Sequence, residues 1–255
     1  MLKTIRIIFW VAVVFTALMQ VWEEYQGLQW RKPLRVALYP VNADGSAEVE
    51  AYMASLQEKD FEVIAQYFSR EALRYQLPLH SPIIFLLGPG IKEVPPAPPA
   101  INASPIDIIL WSLKFRWFAW QHQPALGVPI DIKLYLLYHD VKTHTRLLHS
   151  TALQKGRIGR VNLFAAPDQH AGNTVVIAHE LLHTLSASDK YDLNTNAPLR
   201  PQGYAEPYMQ PLYPQRKAEI MAGKIPLSPN RARMARNLDE TIIGRPTSRE
   251  IGWAK

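Results

Sequence analysis

Apolar runs of strand length alternate along this chain with stretches whose apolar positions recur at helical spacing. Leu34–Val41 and Pro82–Leu87 are nearly continuous apolar runs, and between them Ala47–Leu56 and Asp60–Tyr75 carry a helical pattern. Pro95-Pro96-Ala97-Pro98-Pro99 enforces extended backbone, so residues 89–104 read as an exposed loop. Ser104-Pro105 opens a helix reaching Gln121, with proline at the first helical position, where its missing N–H has no partner to lose. Ile130–Tyr138, Arg146–Leu153 and Ile158–Ala165 are expected strands of a sheet that supports one further helix over residues 174–186. No internal repeat is visible.

That last helix carries the chemistry. Asn173 or Thr174 is expected to cap its first free N–H groups. Val175, Ala178, His179, Leu182 and His183 form one stripe and Ile177, Leu181 and Leu185 another, so the helix is apolar on nearly every side and Glu180 is its one charge. His179-Glu180-Leu181-Leu182-His183 places two imidazoles one turn apart on the same face, where both ring nitrogens can meet one ion while Glu180 reaches its open side. A carboxylate and two imidazoles buried together cost several kcal/mol unless paired, and a divalent cation satisfies all three. The alternative is a core helix whose histidines bond to backbone and whose glutamate finds a salt bridge. A catalytic zinc takes a third protein ligand, and the nearest candidate is Asp189, six residues past His183 and beyond the expected helix end.

The run His179–Asp189, HELLHTLSASD, resembles the metzincin branch of the zincin metallopeptidases, whose pattern is HExxHxxGxxH or the same with a final Asp. The resemblance implies Zn2+ held by His179, His183 and Asp189, with Glu180 as general base. The chain departs from the pattern at Ser186, where the family has glycine because the helix ends with φ > 0. Asp192 is the local fallback as ligand. The resemblance also implies a methionine turn beneath the metal, and Ala218-Glu219-Ile220-Met221-Ala222-Gly223 fits it with Met221, although an ordinary buried methionine reads the same way. Glu219 is a rival third ligand, by analogy with another zincin branch. Zinc would lower the pKa of a water toward about 7, Glu180 would accept its proton, and a tyrosine among Tyr191, Tyr204, Tyr208 and Tyr213 would stabilise the oxyanion.

The amino terminus changes the expected location. Residues 7–19 hold Thr16 as their one polar side chain, Lys3 and Arg6 precede them, and Glu23-Glu24 follow. Residues 5–22 therefore read as a transmembrane signal anchor in the lipid bilayer, with no small-x-small cleavage pattern and the amino terminus in the cytoplasm. Zero cysteine excludes thiolate zinc sites, disulfides and cysteine nucleophiles. Net charge is +6, and residues 214–255 carry nine Lys and Arg against four Asp and Glu, densest at Arg231, Arg233 and Arg236. A solvated helix face explains this cluster, and no nucleic-acid motif accompanies it. His80, His122, His139, His144, His149 and His170 show no ligand spacing, although His139-Asp140 and His144 fall around an expected turn that could bind metal.

The expected fold is α+β, a zincin-like mixed sheet with packed helices behind one N-terminal transmembrane helix. Residues 1–23 are the cytoplasmic tip and anchor, 24–33 a juxtamembrane linker and 34–255 a metallopeptidase domain facing the periplasm or exterior. The expected function is zinc-dependent hydrolysis of peptide bonds in a peptide or protein substrate. The alternative is a non-catalytic envelope protein that keeps the zincin fold to bind a partner.

Overall fold

The computed structural model describes residues 29–100 and 103–254, together with residues 3, 6, 10, 11 and 14. Five strands form the main sheet: β1 (Leu34–Asn42), β2 (Ile83–Leu87), β3 (Ile132–His139), β4 (Thr151–Leu153) and β5 (Ile158–Phe164). Their order is β2-β1-β3-β5-β4, with β2, β1, β3 and β5 mutually parallel and the short β4 antiparallel at the edge. Parallel strands covered on both faces are apolar on both, which is why β1 and β3 read as continuous apolar runs. Val36 and Leu38 of β1 with Leu134 and Leu136 of β3 enter one core, while Ala37 and Tyr39 with Tyr135 and Leu137 enter another.

Helices α1 (Ala47–Ser55), α2 (Glu62–Arg74) and α4 (His170–Thr184) contribute to the first core, beside the residues around α5 (Arg245–Glu250). Helix α3 (Pro105–Gln121) covers the second with Trp111, Phe115, Phe118 and Ala119. The start of α3 follows from its sequence: the Ser104 hydroxyl accepts from the Asp107 N–H, and the Asp107 carboxylate accepts from the Ser104 N–H. Trp30 is also part of the first core and donates through Nε1 to the Ile251 carbonyl, joining the two ends of the described fold.

After α4 the chain runs irregularly to β6 (Ala218–Glu219), the hairpin β7 (Lys224–Ser228) and β8 (Arg231–Met234), and β9 (Thr241–Ile242), which pairs with β6. The α+β class with a mixed sheet stands as expected. The stretch 146–153 is extended only over Thr151–Leu153, and β5 is an interior strand whose neighbour β4 is the edge.

The N-terminal transmembrane helix is not supported, and with it falls the single-pass location that turned the domain toward the periplasm. A span needs about 20 apolar residues, and among the described residues no helix is long and apolar enough to cross a membrane. The longest, α3, has 17 residues, contains Asp107, Lys114 and Arg116, and packs one side on the sheet. Most of the run 5–22 lies outside the described residues.

The basic cluster is not a helix face. Arg231 and Arg233 lie on β8, and Glu240 accepts from Arg233 Nη1 and from Arg236 Nη2, each at 2.7 Å. These two guanidiniums hold the Glu240 carboxyl well below its ordinary 4.5. A carboxylate whose pKa is depressed on folding stabilises the fold above its unfolded value, and that contribution fades as pH falls from there through the folded value. Arg236 is mostly exposed, so solvent screening limits the contribution to about 1 kcal/mol. Glu240→Gln is therefore expected to lower urea stability by about that amount at pH 7, with the difference from wild type closing below about pH 4.5; a difference that persists under strong acid would show that the carboxylate charge is not its source.

Candidate metal centre

Helix α4 begins at His170, earlier than its apolar pattern suggested, so Asn173 and Thr174 lie inside it and do not cap it. Asn173 instead exchanges hydrogen bonds with the backbone of Phe164, donating to its carbonyl at 2.8 Å and accepting from its N–H at 3.2 Å, which ties α4 to the end of β5. The helix is buried on most sides, as its pattern required: Val175, Ile177, Ala178, Leu181 and Leu182 are all core residues.

The helix ends through two reversed hydrogen bonds, Ala187 N–H to Leu182 O at 3.0 Å and Ser186 N–H to His183 O at 3.2 Å. This termination requires a left-handed residue, and Ser186 adopts φ +80°. Serine accepts the conformation that glycine takes freely, and its hydroxyl receives a hydrogen bond from Gln154 Nε2 at 2.6 Å. Ser186→Gly is expected to gain up to about 1 kcal/mol in urea stability, because relief of left-handed strain outweighs the added freedom of the unfolded chain. A destabilised glycine variant would show that the Gln154 contact, not the strain, dominates at this position.

The turn brings Asp189 back to the histidines. His179 Nε2 and His183 Nε2 are 3.0 Å apart, and Asp189 Oδ1 is 3.3 Å from the first and 3.2 Å from the second. The opposite edge of each ring is engaged by a carbonyl: His179 Nδ1 bonds to Ile220 O at 3.0 Å and His183 Nδ1 to Ala187 O at 2.8 Å. A carbonyl only accepts, so both Nδ1 atoms carry the hydrogen and both Nε2 atoms of the neutral rings present lone pairs. Two nitrogen lone pairs and a carboxylate oxygen thus meet with no donor among them.

Burial alone would push the His179 imidazolium down, but the neighbouring carboxylates of Asp189 and Glu180 hold it up, to about 9. Burial would raise Asp189, but His179 and His183 hold it well below the usual carboxylate range. A cation is what the cluster demands, and a proton is the least a metal-free cluster can take. Ligands of a tetrahedral ion bound at about 2.0–2.1 Å lie about 3.3–3.4 Å apart, close to the three separations here. Asp189 Oδ1 and Glu180 Oε2 are buried without a hydrogen-bond partner, so the donor set fits zinc. Burial pushes the Glu180 carboxyl up, and the two histidines offset part of that.

Asp189 is held on both sides. Ser188 donates its N–H and hydroxyl to Glu250 at 3.0 and 2.8 Å. Lys190 Nζ bonds to both Glu250 oxygens at 2.7 Å, and the Lys190 N–H bonds to Met221 O at 3.0 Å. The loop at Ala218–Gly223 therefore touches both halves of the cluster, through Ile220 O on His179 and Met221 O on Lys190, with Met221 fully buried within it.

The rival ligands are occupied elsewhere. Glu219 is fully buried and accepts from Met221 N at 2.7 Å, Gly244 N at 3.0 Å and the Thr247 hydroxyl at 2.6 Å. Asp192 Oδ1 accepts from the N–H groups of Asn194 and Thr195 and from the Thr195 hydroxyl. Among the four tyrosines, burial and then the charges of Asp189 and Glu180 push the Tyr191 phenol up to about 12. Tyr204 and Tyr213 bond to each other at 2.9 Å, and Tyr208 is exposed. Sequence reasoning missed Glu250, which sits 60 residues from its partner Lys190 in an ordinary helical segment with nothing local to mark it.

Comparison of the chain with protein-family models, with curated proteins and with solved structures finds no match.

Asp189→Ala is expected to weaken zinc binding by more than about 10–100-fold, the loss seen when only a ligand's supporting partner is removed. Glu219→Gln is expected to retain zinc while losing about 1–3 kcal/mol of stability, because one carboxylate oxygen becomes a donor facing donors. Equilibrium dialysis with zinc and urea denaturation read the two effects; zinc retained in the first variant and lost in the second would reverse the assignment.

Proposed function

We propose that this chain is a zinc-dependent metallopeptidase of the HExxH type, resembling metzincins, that hydrolyses peptide bonds in peptide or protein substrates. The observation that supports this reading is the convergence of His179 Nε2, His183 Nε2 and Asp189 Oδ1 within 3.0–3.3 Å. The buried, unpartnered Oε2 of Glu180 beside them adds to it.

His179, His183 and Asp189 would hold the ion. Zinc, when bound, supplies Lewis acidity and lowers the pKa of water toward about 7. Glu180 accepts the proton of the attacking water and passes it to the leaving amine. Its burial suits the first half of that task, since a carboxyl pushed up from 4.5 takes a proton more readily than an exposed one. The carbonyls of Ile220 and Ala187 keep the imidazoles in the tautomer that exposes Nε2. Tyr191, adjacent in charge to Asp189 and Glu180, stays protonated near neutral pH and is the candidate donor to the oxyanion.

The alternative, a non-catalytic envelope protein that keeps the fold, with or without metal, to bind a partner, predicts no turnover. Full-length protein incubated with zinc and an unfolded protein substrate is expected to cleave it. Glu180→Gln is expected to keep its zinc and lose about 10²–10⁴-fold in rate, the usual worth of a general base. A His179→Ala, His183→Ala double variant should lose both zinc and activity. Equal cleavage by wild type and Glu180→Gln, or none by either, would sink the peptidase reading, and the second result with zinc retained would favour the binding protein.

A further inference from the structure

A second group of metal-binding side chains lies at the carboxyl end of the parallel strands and shares no residue with the HELLH cluster. Asp44 follows β1, His139 ends β3 and His144 lies on the turn after it. One ligand atom from each lies within 4.8 Å of the others. His144 Nδ1 is 3.8 Å from Asp44 Oδ2, and the two imidazoles meet edge to face with centroids 5.0 Å apart.

The orientation of His139 is what turns this proximity into a site. Its Nε2 is 3.1 Å from Asn162 Oδ1. The Asn162 amide cannot be turned around, because its Nδ2 donates to the carbonyls of Leu148 and His149 and its Oδ1 accepts from Arg160 Nη1. The amide oxygen therefore faces His139, and Nε2 must carry the hydrogen. In the neutral ring Nδ1 is then a bare lone pair, and it is buried with no hydrogen-bond partner. A histidine whose outer nitrogen is oriented by an amide and whose inner nitrogen is an unsatisfied acceptor is prepared for an ion in the same way as His179 and His183.

Asp44 is also held in place. Its Oδ2 accepts from the Asp140 N–H at 2.8 Å and its Oδ1 from the Ser46 N–H at 3.1 Å, which ties the turn carrying His144 to the start of α1. Each carboxylate oxygen keeps a second lone pair for a metal.

We propose that Asp44, His139 and His144 form a second site for a divalent transition-metal ion of the zinc class, which pins the β3–β4 connection to the end of β1. Two imidazoles and one carboxylate suit zinc and disfavour calcium and magnesium, which take oxygen ligands. His144, whose Nδ1 also lies 2.9 Å from the Thr143 hydroxyl, supplies its ligand atom from the turn after β3. The site does not depend on the peptidase reading.

The test uses the full chain, stripped of metal with a chelator and dialysed against zinc, with bound metal counted by mass spectrometry. Wild type is expected to bind about two zinc ions per chain and His144→Ala about one. The His179→Ala, His183→Ala variant is expected to keep about one ion, which should disappear when His144→Ala is added. Asp44→Asn, whose amide can still accept through its oxygen, is expected to weaken the second ion at least about tenfold. Circular dichroism checks that each variant is folded. Zinc stoichiometry and affinity unchanged by both His144→Ala and Asp44→Asn would overturn the site, whatever is found at HELLH; loss of zinc at HELLH alone would instead sink the peptidase reading and leave this one standing.

Discussion

Two imidazole nitrogens and a carboxylate oxygen are held within 3.3 Å of one another inside the protein, each aimed so that its lone pair meets the others. With all three unprotonated the acceptors repel, and burial removes the water that could solvate them, so the cluster holds a proton, as the raised His179 shows, or has room for a metal ion. The surrounding structure is organised around keeping the acceptors in place: α4 is packed into the main core, carbonyls on two separate loops set the histidine tautomers, and the chain on both sides of Asp189 is tethered.

The tethering separates roles among carboxylates that look alike. Asp189 faces the histidines, Glu250 grips the backbone and side chain next to it, and Glu219 organises the turn that carries Met221. Glu219 touches no ligand, yet its three hydrogen bonds shape the segment whose Ile220 carbonyl orients His179. Burial pushes the Glu219 carboxyl up, and the bonds from Thr247, Gly244 and Met221 offset part of that. The same logic appears on the opposite histidine, where a left-handed Ser186 lets Ala187 offer its carbonyl to His183.

Much of the scaffold was legible in the sequence because its signals are local. Strands β1 and β3 stand out as nearly continuous apolar runs since both sheet faces are covered, and α3 announces itself through Ser104, Pro105 and Asp107. The start of α4 was misjudged because Asn173, a common capping residue, bonds instead to the backbone of Phe164 at the end of β5. The Arg231–Arg236 cluster carries charge but no periodicity that separates a helix from a hairpin, and pairing with β7 decided it. The apolar amino-terminal run suggested a membrane span on length and flanks alone, and no described helix supports it.

The sequence by itself determined that His179 and His183 share a face of a buried helix with Glu180 beside them, because one turn of helix fixes that relation whatever surrounds it. It also narrowed the third ligand to a few carboxylates. Only the tertiary structure separated these candidates, placing Asp189 beside the histidines while committing Glu219 to Gly244 and Thr247 and Asp192 to its own loop. It alone brought Glu250 to Ser188 and Asp44 to His144. The placements of Glu219, Glu250 and Asp44 rest on contacts between residues tens of positions apart, which depend on how strands pair and which carboxylates are desolvated, and no local periodicity encodes either.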